Sequence, residues 1–199
     1  MAARLPDGVA VVDAPVRGSV QEATDGRLHI FVGATRHDFD RVRPILMSLG
    51  DVQHVGGPGS GAAMKLVVNA TLGASIVAFG ESLALGTSLG LDQEAVLDVL
   101  AESPIGSVVS AKRANVEANR YPPSFKLRHA AKDLRLVAEA AEAAGLDLKE
   151  ARAARAWLDE AAEHGAADLD YSAVVATILG KEAQVLRGDL YSAEPSRGR

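Results

Sequence analysis

The feature that most constrains this chain is a glycine-rich turn that leads directly into an apolar helix, GGPGSGAAMKLVVN at residues 56–69. Positions four apart on a helix lie one above the other, so Gly61, Lys65 and Asn69 form a single stripe. Burying a lysine among apolar neighbours is costly unless its ammonium reaches a partner or a water-filled cleft. Taken alone, the stretch favours a lysine that snorkels to solvent from the edge of an amphipathic helix. Its role therefore has to be decided from the sequence on either side.

The sequence before this turn alternates short strands with helical or loop segments. Residues 9–12 and 28–33 are β-branched or aromatic runs bounded by turn residues, and residues 51–55 form a third short run. Residues 34–49 predict a helix with five apolar side chains on one face, namely Phe39, Val42, Ile45, Leu46 and Leu49. Three short strands make a poor sheet in isolation because both edges stay open.

After the turn, helical periodicity dominates the rest of the chain. Helices are predicted over residues 62–90, 93–102, 107–118, 127–145, 149–164 and 172–190, and the breaks between them carry mainly glycine or proline. Asp92 and Asp170 are predicted to cap the helices that follow them. The two parts of the chain are predicted to divide at the glycine turn.

Composition and charge argue against several classes of function. The chain has 199 residues, a formal net charge of -5 and a pI near 5.5, which argue against a nucleic-acid-binding face. No stretch is expected to span a membrane, because Lys65, Asn69 and Glu81 interrupt the helix that begins at Ala62. The absence of cysteine fits a cytoplasmic protein. The five histidines lie at no metal-ligand spacing, so no metal is predicted.

Two further segments carry candidate binding residues. In residues 13–19, DAPVRGS, backbone N–H groups beyond a strand can hold a carboxylate that Arg17 clamps. A turn with a solvated arginine is an equally good interpretation. In residues 125–136, FKLRHAAKDLRL, the adjacent Lys132 and Asp133 are by themselves most simply surface charge. The glycines of residues 57–61 lack the dinucleotide pattern G-x-G-x-x-G and favour a tight turn with close helix packing.

These segments together resemble the β-hydroxyacid dehydrogenase family, which includes 3-hydroxyisobutyrate dehydrogenases and glyoxylate/succinic semialdehyde reductases. The stretch at residues 13–19 looks like the family's substrate-binding D-A-P-V-S-G motif. Gly61, Lys65 and Asn69 match its G-x-x-x-K-x-x-x-N motif, and Lys132 and Asp133 begin a match to its K-D-L motif. The motifs follow in family order over nearly the whole chain, and MKLVVN looks most like the glyoxylate/succinic semialdehyde reductase branch.

The resemblance implies an α/β remnant, the last strands of a Rossmann-type domain, followed by an all-α helical domain, so that the chain is mostly α overall. Residues 1–57 are then the C-terminal part of an NAD(P)-binding domain with the substrate loop, residues 58–190 the all-α domain, and residues 191–199 a flexible tail. The family begins with about a hundred residues of nucleotide-binding fold that contain G-x-G-x-x-G, and this sequence resembles the part that follows them. The family's serine after D-A-P-V is Arg17 here, so its guanidinium either reinforces the carboxylate pocket or fills it.

The family's chemistry implies a role for each matched residue. Lys65 is the implied general acid/base, a task that suits a lysine when desolvation lowers its pKa from about 10.4. Asn69 is implied to lie beside the substrate as the second catalytic residue. The substrate-binding residues are implied to be Arg17, Gly18, Ser19 and Phe125. The residues that contact the cofactor, NADP or NAD, are implied to be Lys132 and Asp133.

Two interpretations of the function follow. The first is an NAD(P)-dependent oxidoreductase that transfers hydride between nicotinamide and a small carboxylated aldehyde or 3-hydroxy acid. The second is a truncated, non-catalytic helical dimerisation module derived from such an enzyme. Retention of Lys65, Asn69 and Lys132 together favours the first. The expected partners are a small carboxylated molecule and further copies of the chain, as a homodimer or homotetramer through the helical domain, with no nucleic acid and no membrane.

Overall fold

The computed structural model describes residues 9–183, and the chain divides into two compact units between Val68 and Asn69. The division falls inside a long helix, Ser60–Ser88, so the first turns of that helix belong to the first unit and the rest to the second. The predicted domain boundary after residue 57 stays a prediction. The predicted tail at residues 191–199 lies outside the described residues.

The first unit contains a three-stranded sheet. Its elements are β1 (Val16–Arg17), α1 (Val20–Thr24), β2 (Leu28–Gly33), α2 (Arg36–Leu46), β3 (Gly50–Gly56) and the start of α3 (Ser60–Ser88). The strand order is β1-β2-β3, with β1 antiparallel and β3 parallel to β2. The strands predicted at residues 28–33 and 51–55 are confirmed to within one residue.

The strand predicted at residues 9–12 is wrong. Those residues form no strand, and the chain first pairs with β2 through an isolated bridge between Asp13 and Gly33 and then through β1. Val9 is 53% exposed. Among the described residues no strand lies beside residues 9–12, so the run lacks the neighbouring ladder that a strand needs.

Helix α2 is shorter and more exposed than predicted. Thr35 caps it by accepting the N–H of Asp38 at 3.2 Å. Phe39 is buried as predicted, but Ile45 is 71% exposed, and Leu49 lies beyond the helix end and is 46% exposed. The reason is the size of the core beneath α2, which consists of four buried residues, Ile30, Val32, Ala34 and Phe39. So small a core leaves little apolar surface for the last turn of the helix to cover.

The second unit is helical. After α3 it contains α4 (Gln93–Ala101), α5 (Gly106–Ala118), α6 (Leu127–Ala143), α7 (Lys149–Ala161), a π turn (Ala162–Ala166), a 3-10 turn (Tyr171–Ala173) and α8 (Val174–Ile178). The helices predicted at residues 93–102, 107–118, 127–145 and 149–164 are confirmed to within three residues at each end. The helix predicted over 172–190 is wrong from residue 179 to residue 183, because Gly180 with a φ of +64° ends α8. The rest of that prediction lies outside the described residues.

The helix caps and the core tie the second unit together. Asp92 and Asp170 cap as predicted, accepting the N–H of Ala95 and of Ser172, each at 3.1 Å. The largest side chains of this unit that are less than 2% exposed come from α3 through α7, from the segment before α6 and from the segment after the π turn: Tyr121, Ile76, Phe79, Leu83, Leu97, Val109, Leu127, Leu134, Leu158 and Leu169. Each of these helices therefore buries apolar side chains.

Helix α3 contradicts the prediction that no stretch is long and apolar enough to span a membrane. Its 29 residues are long and apolar enough to cross a membrane by length and composition, with a mean hydropathy of 1.6 over its most apolar 18-residue window. The prediction is wrong because the polar residues Lys65, Asn69 and Glu81 are too few to make every 18-residue window of α3 polar on average. A core helix of a globular protein also meets it, and 28% of the window is buried. Length and composition alone therefore do not assign α3 to a membrane.

Candidate active site

The first group of candidate residues is organised by Asp13, beside the end of β2. Its backbone pairs with Gly33, donating at 3.1 Å and accepting at 2.8 Å. Its carboxylate accepts the backbone N–H groups of Gly59 and Ala62, both at 2.6 Å. Asp13 therefore caps the N-terminus of α3 from 46 to 49 residues away in sequence. A carboxylate there also meets the positive end of the helix dipole.

Two glycines allow this close approach of strand and helix. A Cβ at Gly61 would lie 2.5 Å from the carbonyl oxygen of Phe31 and 2.7 Å from that of Asp13. A Cβ at Gly33 would lie 2.6 Å from the Gly61 nitrogen. Backbone atoms cannot move aside as a flexible side chain can, so both positions need glycine. The predicted close packing at Gly61 is confirmed, and Gly59, with a φ of +94°, forms the predicted tight turn.

Lys65 lies one helical turn beyond Gly61, and it is half-buried. Its ammonium donates a hydrogen bond to the main-chain carbonyl of Val16 at 2.7 Å. Val16 belongs to the DAPVRGS stretch, so the lysine motif and the substrate-loop motif meet within the first unit although these residues are 49 apart in sequence. The neighbouring Arg17 is exposed, and its guanidinium makes no ion pair with any residue between 9 and 183.

Ser19 and Glu22 close the first turn of α1. The N–H of Ser19 donates to a Glu22 carboxylate oxygen at 2.7 Å, and the Ser19 hydroxyl donates to the same oxygen. These hydrogen bonds, the hydroxyl's first, lower the pKa of Glu22 to about 2. Gly18 precedes them with a φ of +140°, a conformation that favours glycine. The Ser19 N–H, which is expected to hold a substrate carboxylate, here holds a carboxylate of the chain itself.

In the second unit, Asn69 and Asp133 line one small cavity. Its other walls are apolar apart from one tyrosine: Leu72, Gly73, Ile76, Ala130, Leu134, Leu158 and Tyr171. Asn69 is 7% exposed, and its side-chain amide makes no hydrogen bond within the part of the chain that the structure describes. Buried polar groups are nearly always hydrogen-bonded. This amide is therefore suited to a ligand or a water molecule.

Lys132 and Asp133 are adjacent on α6 but lie in different surroundings. Asp133 is 9% exposed, whereas half of the Lys132 side chain is exposed. The Lys132 ammonium lies 2.5 Å from a carboxylate oxygen of Asp133. The pair is therefore more than surface charge, because its acidic member forms part of the cavity wall that also contains Asn69.

Phe125 is held just before α6 by Tyr171. Its carbonyl accepts the N–H of Tyr171 at 2.8 Å. The two rings meet edge to face with centroids 5.9 Å apart. The Phe125 ring also contacts the His129 ring, with centroids 6.1 Å apart. Since Tyr171 also lines the cavity of Asn69 and Asp133, three of the predicted residues of the second unit, Asn69, Phe125 and Asp133, lie around this tyrosine.

Lys112, a buried cation on α5, is not among the residues predicted from the sequence. Lys112 is 9% exposed, and its ammonium lies 2.9 Å from a carboxylate oxygen of Asp170, which is 0% exposed. The sequence signal for Lys112 is the same as for Lys65, a lysine at helical spacing from apolar residues. Val109, Lys112 and Val116 share one face of α5 at helical spacing, and all three are buried.

Two protein-family models match the chain in succession. "NAD binding domain of 6-phosphogluconate dehydrogenase" matches residues 2–57, and "NAD-binding of NADP-dependent 3-hydroxyisobutyrate dehydrogenase" matches residues 59–178. With the fold described above, these matches define a class, the NAD(P)-dependent dehydrogenases. Because the second match alone covers more than half of the chain, the chain belongs to the β-hydroxyacid dehydrogenase family.

Individual proteins agree with this assignment. Glyoxylate/succinic semialdehyde reductase 1 of Arabidopsis thaliana is 33% identical over 173 residues, which are 86% of this chain and 60% of the relative. The chloroplastic glyoxylate/succinic semialdehyde reductase 2 of the same plant is 32% identical over 179 residues, 89% of this chain and 50% of the relative. The chain thus spans 50% to 60% of the length of these relatives.

A solved structure shows the same fold. The 3-hydroxyisobutyrate dehydrogenase from Salmonella typhimurium superimposes with a TM-score of 0.76 and 27% sequence identity, over 84% of this chain and 60% of that one. The family predicted from the sequence motifs is therefore confirmed, and so is its cofactor, NAD or NADP, since both matching models describe NAD-binding domains.

The described residues fit one end of such a cofactor. The half-exposed ammonium of Lys132 has several N–H donors, which suit the oxygens of a ribose or of a nicotinamide carboxamide. In contrast, the glycines of residues 57–61 lack the dinucleotide spacing, and Gly59 and Gly61 serve the turn and the helix packing. The donor set therefore suits the nicotinamide end and not the pyrophosphate.

Proposed function

We propose that this chain functions as an NAD(P)-dependent oxidoreductase that interconverts a small carboxylated aldehyde and the corresponding hydroxy acid by hydride transfer, with Lys65 as general acid/base. The observation that carries the proposal is the hydrogen bond from Lys65 to Val16, because it joins the lysine motif to the substrate-loop motif. Asp13 and Gly61 support the same geometry by capping α3 and letting it approach β2.

Lys65 handles the proton in this proposal. The bound nicotinamide cofactor supplies or accepts the hydride. In reduction Lys65 donates a proton to the substrate oxygen, and in oxidation it accepts one. The Val16 carbonyl orients the ammonium for this step. Asn69 offers a side-chain amide without a partner among residues 9–183, which suits a hydrogen bond to a bound ligand.

The substrate carboxylate is assigned to the loop before α1. Arg17 is its main ligand, because the exposed guanidinium can bind a carboxylate with two parallel hydrogen bonds. The backbone of Gly18 and Ser19 has a smaller part, since the Glu22 carboxylate already accepts the N–H of Ser19 at 2.7 Å. Replacement of the family's serine by Arg17 therefore shifts the carboxylate contact from backbone to side chain.

The cofactor and the substrate wall are assigned to α6 and the segment before it. Lys132 donates to the cofactor through its half-exposed ammonium, and Asp133 fixes that ammonium at 2.5 Å. Phe125, held against Tyr171, supplies an apolar wall for the substrate. Lys132→Ala should therefore weaken NADPH binding by about 10- to 100-fold, the loss expected for a hydrogen bond to a charged group.

The experiment is a fluorescence titration of the purified 199-residue chain with NADPH and NADH, with turnover of glyoxylate and succinic semialdehyde measured beside it. Saturable binding, weakened in Lys132→Ala and unchanged in Lys149→Ala, supports the proposal. Lys149 is the matched control because it is an exposed lysine at the start of α7. A folded chain that neither binds a nucleotide nor turns over these aldehydes contradicts the proposal for this polypeptide.

A second candidate function is helical self-association without catalysis. The observation that favours it is an apolar groove between the end of α3 and α4, whose lining includes Leu85, Leu89, Leu91 and Val99, each between 58% and 71% exposed. Exposed apolar surface of this kind marks interaction sites. A homodimer or homotetramer by sedimentation that binds no nucleotide favours this function. A monomer at all concentrations contradicts it.

A further inference from the structure

Lys112 forms a buried ion pair that none of the family motifs described above includes. Its ammonium lies 2.9 Å from one carboxylate oxygen of Asp170 and 3.1 Å from the other. It also donates to the Ser124 hydroxyl at 3.0 Å and lies 4.7 Å from the centre of the Tyr171 ring. Every one of these partners belongs to the segment before α6 or to the turn before α8, so the pair lies where those two segments meet.

Asp170 connects these two segments through both carboxylate oxygens. One oxygen accepts the backbone N–H of Ser124 at 3.1 Å and of Phe125 at 3.3 Å, together with the Ser124 hydroxyl at 2.6 Å. The other accepts the N–H of Ser172 at 3.1 Å and its hydroxyl at 2.7 Å. In addition, the Asp170 N–H donates to the Tyr121 carbonyl at 3.0 Å. The position of Phe125 is thus set by a carboxylate 45 residues further along the chain.

The charge of Lys112 keeps this carboxylate ionised. Burial acts to raise the pKa of Asp170, but the Lys112 ammonium and the hydroxyls of Ser124 and Ser172 outweigh it, so the pKa lies below its ordinary value. An ionised carboxylate accepts stronger hydrogen bonds than a neutral group. Lys112 therefore strengthens the contacts to Ser124 and Phe125 without touching Phe125 itself.

We propose that Lys112 and Asp170 are positioning residues, which hold the backbone of Phe125 so that its ring forms the substrate wall against Tyr171. The inference rests on the proposed function, because it takes Phe125 to contact the substrate. It assigns no chemistry to the ion pair. Its alternative is a pair that supports the fold and leaves Phe125 unaffected.

The first test measures amide hydrogen exchange at Ser124 and Phe125 by NMR in the 199-residue chain. The variant is Lys112→Met with Asp170→Ala, which removes both charges together and so avoids an unpaired buried charge. Exchange at Ser124 and Phe125 is expected to be at least about tenfold faster, as for the loss of one charged hydrogen bond, while α7 amides such as that of Leu158 stay unchanged. Asp168→Ala is the matched control, since Asp168 is two residues away but pairs with Lys126 and Arg128.

The second test is the turnover assay. A displaced wall weakens substrate binding in ground state and transition state alike, so KM for succinic semialdehyde should rise about tenfold with kcat within about twofold of the unmodified chain. Lys112→Arg, which keeps the positive charge, should have the same KM as the unmodified chain. Asp168→Ala should leave both constants unchanged.

The outcomes separate the two proposals. Unchanged exchange at Ser124 and Phe125 in the double variant overturns the positioning role, whether or not the chain is active. Faster exchange with unchanged KM also overturns it and leaves the pair a purely structural role. Absence of turnover in the unmodified chain contradicts the proposed function and, with it, the role of Phe125 as a substrate wall. In that case faster exchange in the double variant still establishes that the ion pair holds the Phe125 backbone.

Discussion

Each unit of the chain contains an aspartate that joins distant segments and a lysine that is at least half-buried, but the two arrangements differ. In the first unit, Asp13 accepts two N–H groups from the start of α3, and the Lys65 ammonium contacts the Val16 carbonyl. In the second unit, Asp170 is 0% exposed and its carboxylate pairs with Lys112. The aspartates have similar structural roles, whereas the lysines have different partners.

The difference concerns the partner in each contact. A buried carboxylate depends on the ammonium that neutralises it, while a main-chain carbonyl orients an ammonium and carries no net charge of its own. Lys112 is therefore expected to stabilise the fold, and Lys65 to serve chemistry. Removal of Lys112 should therefore lower the free energy of unfolding more than removal of Lys65, whereas removal of Lys65 should lower kcat more than removal of Lys112.

Lys112→Met should lower the free energy of unfolding by about 3–5 kcal/mol, because it leaves the Asp170 carboxylate buried without its counter-ion. Urea unfolding followed by circular dichroism measures this. Arg113→Met is the control, since Arg113 pairs with Asp98 and Glu117 at the surface and should cost less than about 1 kcal/mol. Equal losses for the two variants contradict the structural role of Lys112.

Gly61→Ala should lower the free energy of unfolding by about 1–3 kcal/mol, the range for overpacking. Its Cβ would meet the carbonyl oxygens of Phe31 and Asp13 at 2.5 and 2.7 Å. Gly57→Ala is the matched control four residues earlier, because nothing lies within 4 Å of a Cβ there, and it should change stability by less than about 0.5 kcal/mol. Thermal and urea unfolding measure the stability of both variants. If Gly61→Ala is as stable as the control, α3 can shift to accept the Cβ and the close packing is not required.

Asp13→Ala should lower the free energy of unfolding by about 1–2 kcal/mol, as for the loss of a helix cap. Both of its carboxylate oxygens are used, one by Gly59 and one by Ala62. Asp13→Asn keeps one acceptor oxygen and should therefore show an intermediate loss in the same urea experiment. If the alanine variant loses nothing, the α3 N-terminus does not depend on Asp13.

Glu22 should show the smallest effect, a titration near pH 2. Its folded-state pKa of about 2 lies below the ordinary value of 4.5, because the Ser19 hydroxyl and N–H donate to its carboxylate. The stabilisation of α1 by this contact is thus fully present above about pH 4.5 and is lost as the pH falls through about 2. NMR titration of the Glu22 carboxyl measures the pKa. Ser19→Ala should return it toward 4.5, and a value near 4.5 in the unmodified chain contradicts the capping contact.

The order of elements follows from the sequence because local patterns determine it. The hydrophobic period changes at the glycine turn, and α4 and α5 are predicted to within one residue by periodicity and by their glycine or proline breaks. A lysine and an asparagine inside an apolar helix also stand out locally, but the local pattern alone favours a solvated Lys65, and the roles of Lys65 and Asn69 come from the resemblance of the ordered motifs to a family.

Long-range partnerships do not follow from local patterns. The caps that Asp13 provides lie 46 and 49 residues away, and no periodicity indicates which helix a distant carboxylate meets. Lys112 has a local signal, the buried face of α5, but its partner Asp170 lies 58 residues further on. The exposure of Ile45 depends on the size of the sheet beneath it, which becomes known only once the strands are paired.

The most direct test of the account is the NADPH-dependent reduction of succinic semialdehyde by the chain with Lys65→Ala, with Lys149→Ala as control. If Lys65 is the general acid/base, kcat falls by about 10²- to 10⁴-fold. NADPH affinity stays within about threefold of that of the unmodified chain, and circular dichroism shows that the variant is still folded. A variant that keeps most of its rate contradicts the assignment of Lys65.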